Sequence, residues 1–241
     1  MFVARYKSPN IEVYKRNADD VKIQRNVIVA GAMSFRGLAA CEFNQCLYAS
    51  AQNNRIHKVS PVANSMERII WLLSADLPSG VTVNNAHNLL VACYCSRKVQ
   101  EYTTDGAMVR EINLHPDITN PTHVVQLPGG EFGVISHGSL FSPHHRYCVV
   151  GSDGKIVKST GSEQMSYPRG LAVSKDGSKV FVADSGNNRI LLLNSKTLST
   201  EQLPAAFNVG FKQPHFIHFD SSAGVIYAGE WMGGCIFCFK K

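Results

Sequence analysis

The chain has 241 residues, of which 44% are apolar and only 17% charged. That is enough to bury one full core, and it argues against a disordered or coiled-coil class. The net charge of +6 favours anionic partners without the charge density of a dedicated nucleic-acid-binding domain.

In chain order, Met1-Phe2-Val3-Ala4 reads as a strand that ends at Arg5, with another beginning at Ile11 and an outer one near Val27-Ile28-Val29. The next unit opens with Arg36-Gly37-Leu38-Ala39-Ala40, continues to Ser50 and resumes at Ile56. The third opens at Ser79-Gly80-Val81-Thr82-Val83, reaches Cys93 and resumes at Val99. The fourth runs from Thr122-His123-Val124-Val125-Gln126 to Ser136 and carries a longer loop, Gly138 to Arg146. The fifth runs from Arg169-Gly170-Leu171-Ala172-Val173 through the turn at Asp176-Gly177 to Asp184, then resumes at Ile190. The sixth opens at His215-Phe216-Ile217-His218-Phe219, passes Gly229 and stops after Phe239. Proline precedes four of the opening strands, at Pro78, Pro121, Pro168 and Pro214, where a residue with fixed φ and no ladder donor belongs.

The end of each second strand falls at Arg5, Ser50, Cys93, Ser136, Asp184 and Gly229, a spacing of 43 to 48 residues. A period of about 40–50 residues with three or four short strands per unit is the signature of propeller blades. The expected architecture is a single all-β domain over residues 1–241, a six-bladed β-propeller whose first and last blades are incomplete. The first unit lacks an opening strand and the last lacks a fourth, so a strand near Val27-Ile28-Val29 could close the ring. The preferred expectation is a piece of a longer chain.

The fifth unit carries a family resemblance. Pro168-Arg169-Gly170-Leu171-Ala172-Val173, Asp176-Gly177 and Val182 to Ile190 are similar to the NHL-repeat consensus, and the other units follow it in spacing and apolar pattern. Asn120 to Leu127, with Ser136-His137-Gly138 and His145-Arg146-Tyr147-Cys148, resembles uncharacterised invertebrate NHL-type proteins. The resemblance implies a propeller throughout. In tripartite-motif relatives it implies recruitment of partners beside a ubiquitin-ligase module. One architecture hosts many activities, so the function has to be read from a site.

Seven cysteines at scattered positions read as reduced thiols, chiefly buried small hydrophobes. Cys93 and Cys95 are placed on one side of a strand, and Cys41 and Cys46 across a turn. Nine histidines are present. His137, His144 and His145 fall in the long fourth loop, and His123, His215 and His218 on opening strands that would line a channel. In an unbulged strand His215 and His218 point to opposite sides, which leaves at most two imidazoles inside. A catalytic zinc centre normally uses three protein ligands. The expectation is therefore no cofactor, no metal site and no catalytic residue. A metal-dependent lactonase or lyase of the kind found on related propellers is one alternative.

The loops that lead into first strands, and those that join second to third strands, open on one face of such a fold. Arg5, Lys7, Arg36, Arg55, Arg97, Lys98, Arg146, Arg169, Arg189 and Lys212 lie there, opposed by five acids: Asp76, Asp117, Glu163, Asp184 and Glu230. Arg55, Lys98, Arg146 and Arg189 each stand where a third strand begins. Arg189 can pair with Asp184, whereas Ser50, Cys93 and Ser136 hold the equivalent position elsewhere and supply no carboxylate. Trp231 adds an aromatic of the kind enriched at binding hot spots. The expected binding residues are Arg5, Arg36, Arg55, Arg97, Lys98, Arg146, Arg169, Arg189 and Trp231, on a non-catalytic platform for an anionic protein or peptide. Single-stranded RNA is the other alternative, with Tyr94, Tyr147 and Trp231 as stacking surfaces. The apolar runs are four to seven residues long, too short for a membrane helix, and the N-terminus lacks signal-peptide anatomy. The expected location is cytoplasmic, with no membrane partner.

Overall fold

The repeat becomes a series of antiparallel meanders in the computed structural model, which describes all residues except 1, 5–7, 9, 17–20, 30–31, 33, 60–67, 73–76, 139–143, 162–163, 208, 221, 232–233 and 241. Hydrogen bonding groups the described strands into six sheets, each connected in chain order. The first holds β1 (Phe2–Ala4), β2 (Asn10–Arg16) and β3 (Val21–Ile28). The second holds β4 (Phe35–Cys41), β5 (Cys46–Ala51), β6 (Arg55–Val59) and β7 (Arg68–Leu72). The third holds β8 (Pro78–Val83), β9 (Leu89–Cys93), β10 (Lys98–Tyr102) and β11 (Met108–Asn113). The fourth holds β12 (Pro121–Gln126), β13 (Phe132–Ser136), β14 (Arg146–Val150) and β15 (Ile156–Thr160). The fifth holds β16 (Pro168–Val173), β17 (Lys179–Asp184), β18 (Arg189–Asn194) and β19 (Thr200–Glu201). The sixth holds β20 (Pro214–Asp220), β21 (Val225–Glu230) and β22 (Ile236–Lys240). Helix is confined, among the described residues, to single 3-10 turns at Ser185–Asn187 and Ala205–Phe207.

The sequence landmarks fall where strand chemistry puts them. Pro78, Pro121, Pro168 and Pro214 are the first residues of β8, β12, β16 and β20, and in each strand the pairing register slips just after the proline. β4, which opens with Phe35, slips at the same place, so the bulge belongs to the repeat and the proline, lacking an N–H, fits it. The second strands β5, β9 and β13 are buried along their whole length, so they read as continuous apolar runs rather than as alternation. Ser50, Cys93, Ser136, Asp184 and Gly229 lie at or near the ends of second strands, while Arg5 lies outside the described residues. β3 is the outer strand of the first sheet, paired with β2.

Two compact units emerge, residues 1–93 with 100–110, and residues 94–99 with 111–241. In the first unit, Ile11, Val29, Phe35, Leu47 and Ala49 form one core cluster, and Tyr48, Ile56, Val81, Leu89 and Val91 form another. In the second, Ile135, Tyr147, Leu171, Val182 and Leu193 pack in one cluster, and Ala183, Ile190, Phe211, Ile217 and Phe239 in the next. First strands of adjacent sheets approach backbone to backbone. A Cβ on Gly170 would sit 2.7 Å from the His215 carbonyl oxygen and 3.0 Å from the Ile217 nitrogen. Gly37 is equally tight, 2.9 Å from the Ser79 carbonyl oxygen and the Val81 nitrogen. At Gly37 and Gly170 the absence of a side chain is therefore a packing requirement.

All seven cysteines are free. Cys41, Cys46, Cys93 and Cys148 are buried as expected, but Cys95, Cys235 and Cys238 are exposed. β9 ends at Cys93 and the chain then turns, so Cys95 does not share a strand face with Cys93.

Candidate functional site

The ends of the second strands hold the loops that would form a binding face. In three successive sheets, an oxygen there accepts the backbone N–H of the residue two before the opening proline. Ser136 Oγ accepts from Thr119 at 3.1 Å, Asp184 Oδ1 from Ser166 at 2.7 Å, and Glu230 Oε1 from Lys212 at 2.6 Å. Each latch satisfies a backbone donor that precedes the opening strand and lies outside its ladder. Three side-chain types do this one job, so the missing aspartates do not leave the fourth and sixth sheets unlatched.

The charge consequences differ. Asp184 is fully buried, and its Oδ2 accepts from Arg189 Nε at 2.8 Å and from Asn187 Nδ2 at 2.8 Å. Arg189 also donates from Nη2 to the Gln164 carbonyl at 2.6 Å. Arg189 thus serves the scaffold. Ser136 carries no charge, and it returns its hydroxyl proton to the Thr119 carbonyl at 2.7 Å. Arg146, directly opposite Ser136 in the β13–β14 ladder, keeps a buried Nε with no hydrogen-bond partner among the described residues. Lys98 departs from expectation, because its ammonium pairs with Glu111 on β11 at 2.7 Å.

Arg97 is exposed, in a turn with φ of 56°. In the N-terminal unit, Arg55 opens β6 half-buried, and Arg36 has a buried Nε without a partner among the described residues.

In the second unit the loops also gather rings. Tyr94, His137, His145 and Tyr167 form a continuous cluster. Ring centroids lie 6.2 Å apart for Tyr94–His137, 5.4 Å for His137–His145, 4.9 Å for His137–Tyr167 and 4.6 Å for His145–Tyr167. The Tyr94 hydroxyl lies 3.5 Å from His137 Nδ1. His215 stacks on Trp231 with centroids 4.6 Å apart and planes 19° apart. Arg169 ties the two groups together, since its positive charge acts on His137, His145 and His215.

Burial, then the charges of Arg169, His145 and His215, lowers His137 from its usual 6.5 to about 3. Burial and then Arg169 lower His215 to about 4. Burial also lowers His145, against a hydrogen bond to the His137 backbone. These imidazoles are neutral at pH 7, so the permanent charge of the cluster is guanidinium. Tyr167 is 53% exposed, whereas His137 is buried.

Sequence reasoning placed these histidines on loops and inner strands but did not bring them together. The signal was available. His137 follows the end of β13, His145 precedes β14, Tyr167 precedes β16, and His215 is the second residue of β20, so all stand at one end of their strands. His123 sits at the register position that Gly37 and Gly170 hold in other first strands. Its ring hydrogen-bonds the Leu171 backbone, and burial lowers it to about 4. β20 is bulged at His215, contrary to the regular strand assumed, yet His218 is exposed beside Tyr227. Among the described residues no group of three or more His, Cys, Asp or Glu is placed to hold a metal ion.

A family model described as the NHL repeat matches residues 165–191, the stretch that contains the Asp184–Arg189 pair. No curated protein matches the chain. Solved structures do. A chain of the nidogen/laminin complex is similar at 15% identity with a TM-score of 0.80, over 99% of this chain and 88% of that one. A protein of unknown function from Bacteroides caccae has 15% identity and a TM-score of 0.74, over 96% of this chain and 82% of that one. Catalytically inactive virginiamycin B lyase from Staphylococcus aureus, with quinupristin, has 14% identity and a TM-score of 0.66, over 92% of this chain and 70% of that one. Such identities speak to fold and leave activity open. The NHL-repeat match covers residues 165–191, and the meanders built on the same spacing share the β-propeller fold of these solved structures.

Proposed function

We propose that the second unit is a non-catalytic binding platform for an anionic protein or peptide. The observation that carries this reading is the convergence of Tyr94, His137, His145 and Tyr167 with Arg169, at the strand ends that also hold Arg97 and Arg146. Tyr, Trp and Arg in a partly dry setting are the side chains that dominate protein interfaces. A guanidinium offers a carboxylate two parallel hydrogen bonds. Neutral imidazoles beside it add contact area without adding a proton-dependent charge at pH 7.

The finer reading is a six-bladed ring in the cytoplasm, recruiting substrates within a longer ubiquitin-ligase-type polypeptide. Among the described residues no helix is long and apolar enough to cross a membrane. The test is retention of partners by the chain and by an Arg97→Glu, Arg146→Glu, Tyr167→Ala variant with an unchanged circular dichroism spectrum. At least tenfold weaker capture is expected, in line with hot-spot magnitudes. Undiminished capture rejects this face.

A second reading is single-stranded RNA, supported by the exposed Tyr167 ring close to Arg169. It predicts steeply salt-dependent binding to a short oligonucleotide. A metal-dependent lactonase or lyase reading rests on the likeness to virginiamycin B lyase, and tightly held zinc or calcium in the purified protein would favour it.

A further inference from the structure

Away from these loops, the first unit carries a pair of thiols in direct register. Cys41 ends β4, Cys46 begins β5, and the two are opposite one another in the antiparallel ladder. Residues so paired have Cα atoms about 4.5–5.5 Å apart, inside the range of about 4.4–6.8 Å that a disulfide spans. Both are 3% exposed and both are free. None of the other five cysteines faces a cysteine across the described ladders.

The segment between them is a tight turn, Glu42 to Gln45, closed by the Gln45 amide donating to the Glu42 carbonyl at 3.2 Å, with Gln45 at φ 47°. It presents Phe43, 73% exposed and stacked flat on His87 with centroids 4.1 Å apart. The Asn44 side-chain amide donates to Cys41 Sγ at 3.2 Å and to the His87 carbonyl at 3.5 Å. The thiols therefore sit at the base of the turn that displays the most exposed large apolar side chain among the described residues.

We propose that Cys41 and Cys46 form a reversible cross-strand disulfide that locks this turn. The oxidant is a small-molecule disulfide of the glutathione type. One cysteine thiolate attacks it, forming a mixed disulfide and releasing one glutathione thiolate. The second cysteine thiolate attacks the protein sulfur of that mixed disulfide, forming the Cys41–Cys46 bond and releasing the second glutathione thiolate. Two electrons pass to the small molecule, and the two protons lost by the cysteines end on its two thiols. Burial raises the Cys46 thiol above its usual value, so attack waits on local opening of the turn and the exchange is slow. Six residues lie within the closed ring from Cys41 to Cys46, so the bond constrains the unfolded chain less than a long-range cross-link would and acts most directly on the turn itself.

The experiment uses the full chain with exposed Cys95, Cys235 and Cys238 changed to serine, equilibrated natively in reduced and oxidised glutathione, then acid-quenched, alkylated and mapped by mass spectrometry. The expected result is loss of two of the four remaining thiols, and a peptide spanning 41–46 lighter by two hydrogens. Amide exchange at Glu42 to Gln45 should slow by about tenfold, as local opening is suppressed. In the same background Cys41→Ser should leave Cys46 alkylatable or carrying a single glutathione, with no peptide over 41–46 lighter by two hydrogens. Three results overturn the proposal: both thiols alkylated at the most oxidising ratio, the bond appearing only after denaturant is added, or the loss of two hydrogens over 41–46 persisting in the Cys41→Ser variant.

Discussion

The fourth and fifth sheets use one backbone plan with two different chemistries at the end of the second strand. In the fifth, Asp184 accepts from Ser166, Asn187 and Arg189 and is itself fully buried. In the fourth, Ser136 exchanges two hydrogen bonds with Thr119 and offers Arg146 no carboxylate from its own position. Both latch the chain before the opening proline, so latching alone does not explain the aspartate. What the carboxylate adds is neutralisation of its arginine. In the fifth sheet Arg189 is held by the scaffold, and in the fourth the buried Nε of Arg146 has no hydrogen-bond partner among the described residues. A repeat can thus lose a consensus residue and keep its latch and its fold.

The largest expected difference between the two sheets is in stability. Asp184→Ala strands the Ser166 amide and the Arg189 guanidinium and should cost on the order of 3 kcal/mol, with the half-exposed arginine tempering the loss. Ser136→Ala should cost about 1–2 kcal/mol. Urea unfolding of the two variants measures this, and equal losses would break the comparison.

Next come the first strands. Gly170→Val drives a side chain into the His215 carbonyl and should cost about 1–3 kcal/mol by overpacking. The fourth sheet already accommodates a larger side chain, His123, at the same register, so His123→Val should cost less in the same assay.

Acid should act through the fourth sheet. His137 is held near 3 in the folded chain against 6.5 unfolded, so the unfolded chain binds the extra proton at pH values between the two. Stability is intact above about 6.5 and falls as the pH drops below it, by roughly 1.4 kcal/mol per pH unit for this group, levelling off near its folded value. His137→Asn should flatten the urea-measured slope by close to one proton over pH 4–6, a range set by those two pKa values. An unchanged slope would show that this imidazole is not desolvated. The smallest effect belongs to Lys98 and Glu111, each about 30% exposed. Their coupling in a double-mutant cycle should be about 0.2–1 kcal/mol and should shrink with salt.

Much of the fold was legible because strand chemistry is local. Prolines at Pro78, Pro121, Pro168 and Pro214 marked strand openings, and the apolar runs marked strands buried on both faces. The site was only partly legible. Arg55, Lys98, Arg146 and Arg189 do begin third strands, but position could not distinguish the scaffold pair of Arg189 from the open Arg146. The Lys98–Glu111 pair joins neighbouring strands whose side-chain directions the repeat spacing does not specify. The histidine cluster is not legible strand by strand, because only the shared end of several strands brings its members together.

By itself, the sequence determined the period, the strand boundaries, the glycines required where backbones meet, and the family resemblance centred on the fifth unit. Each of these depends on steric and hydrogen-bonding rules that act within a few residues. Only the tertiary structure decided which oxygen replaces a missing aspartate, which cations are neutralised, and which imidazoles are dry enough to stay uncharged. Those outcomes depend on distance and desolvation between residues far apart in the chain, and they exist only once the sheets have packed.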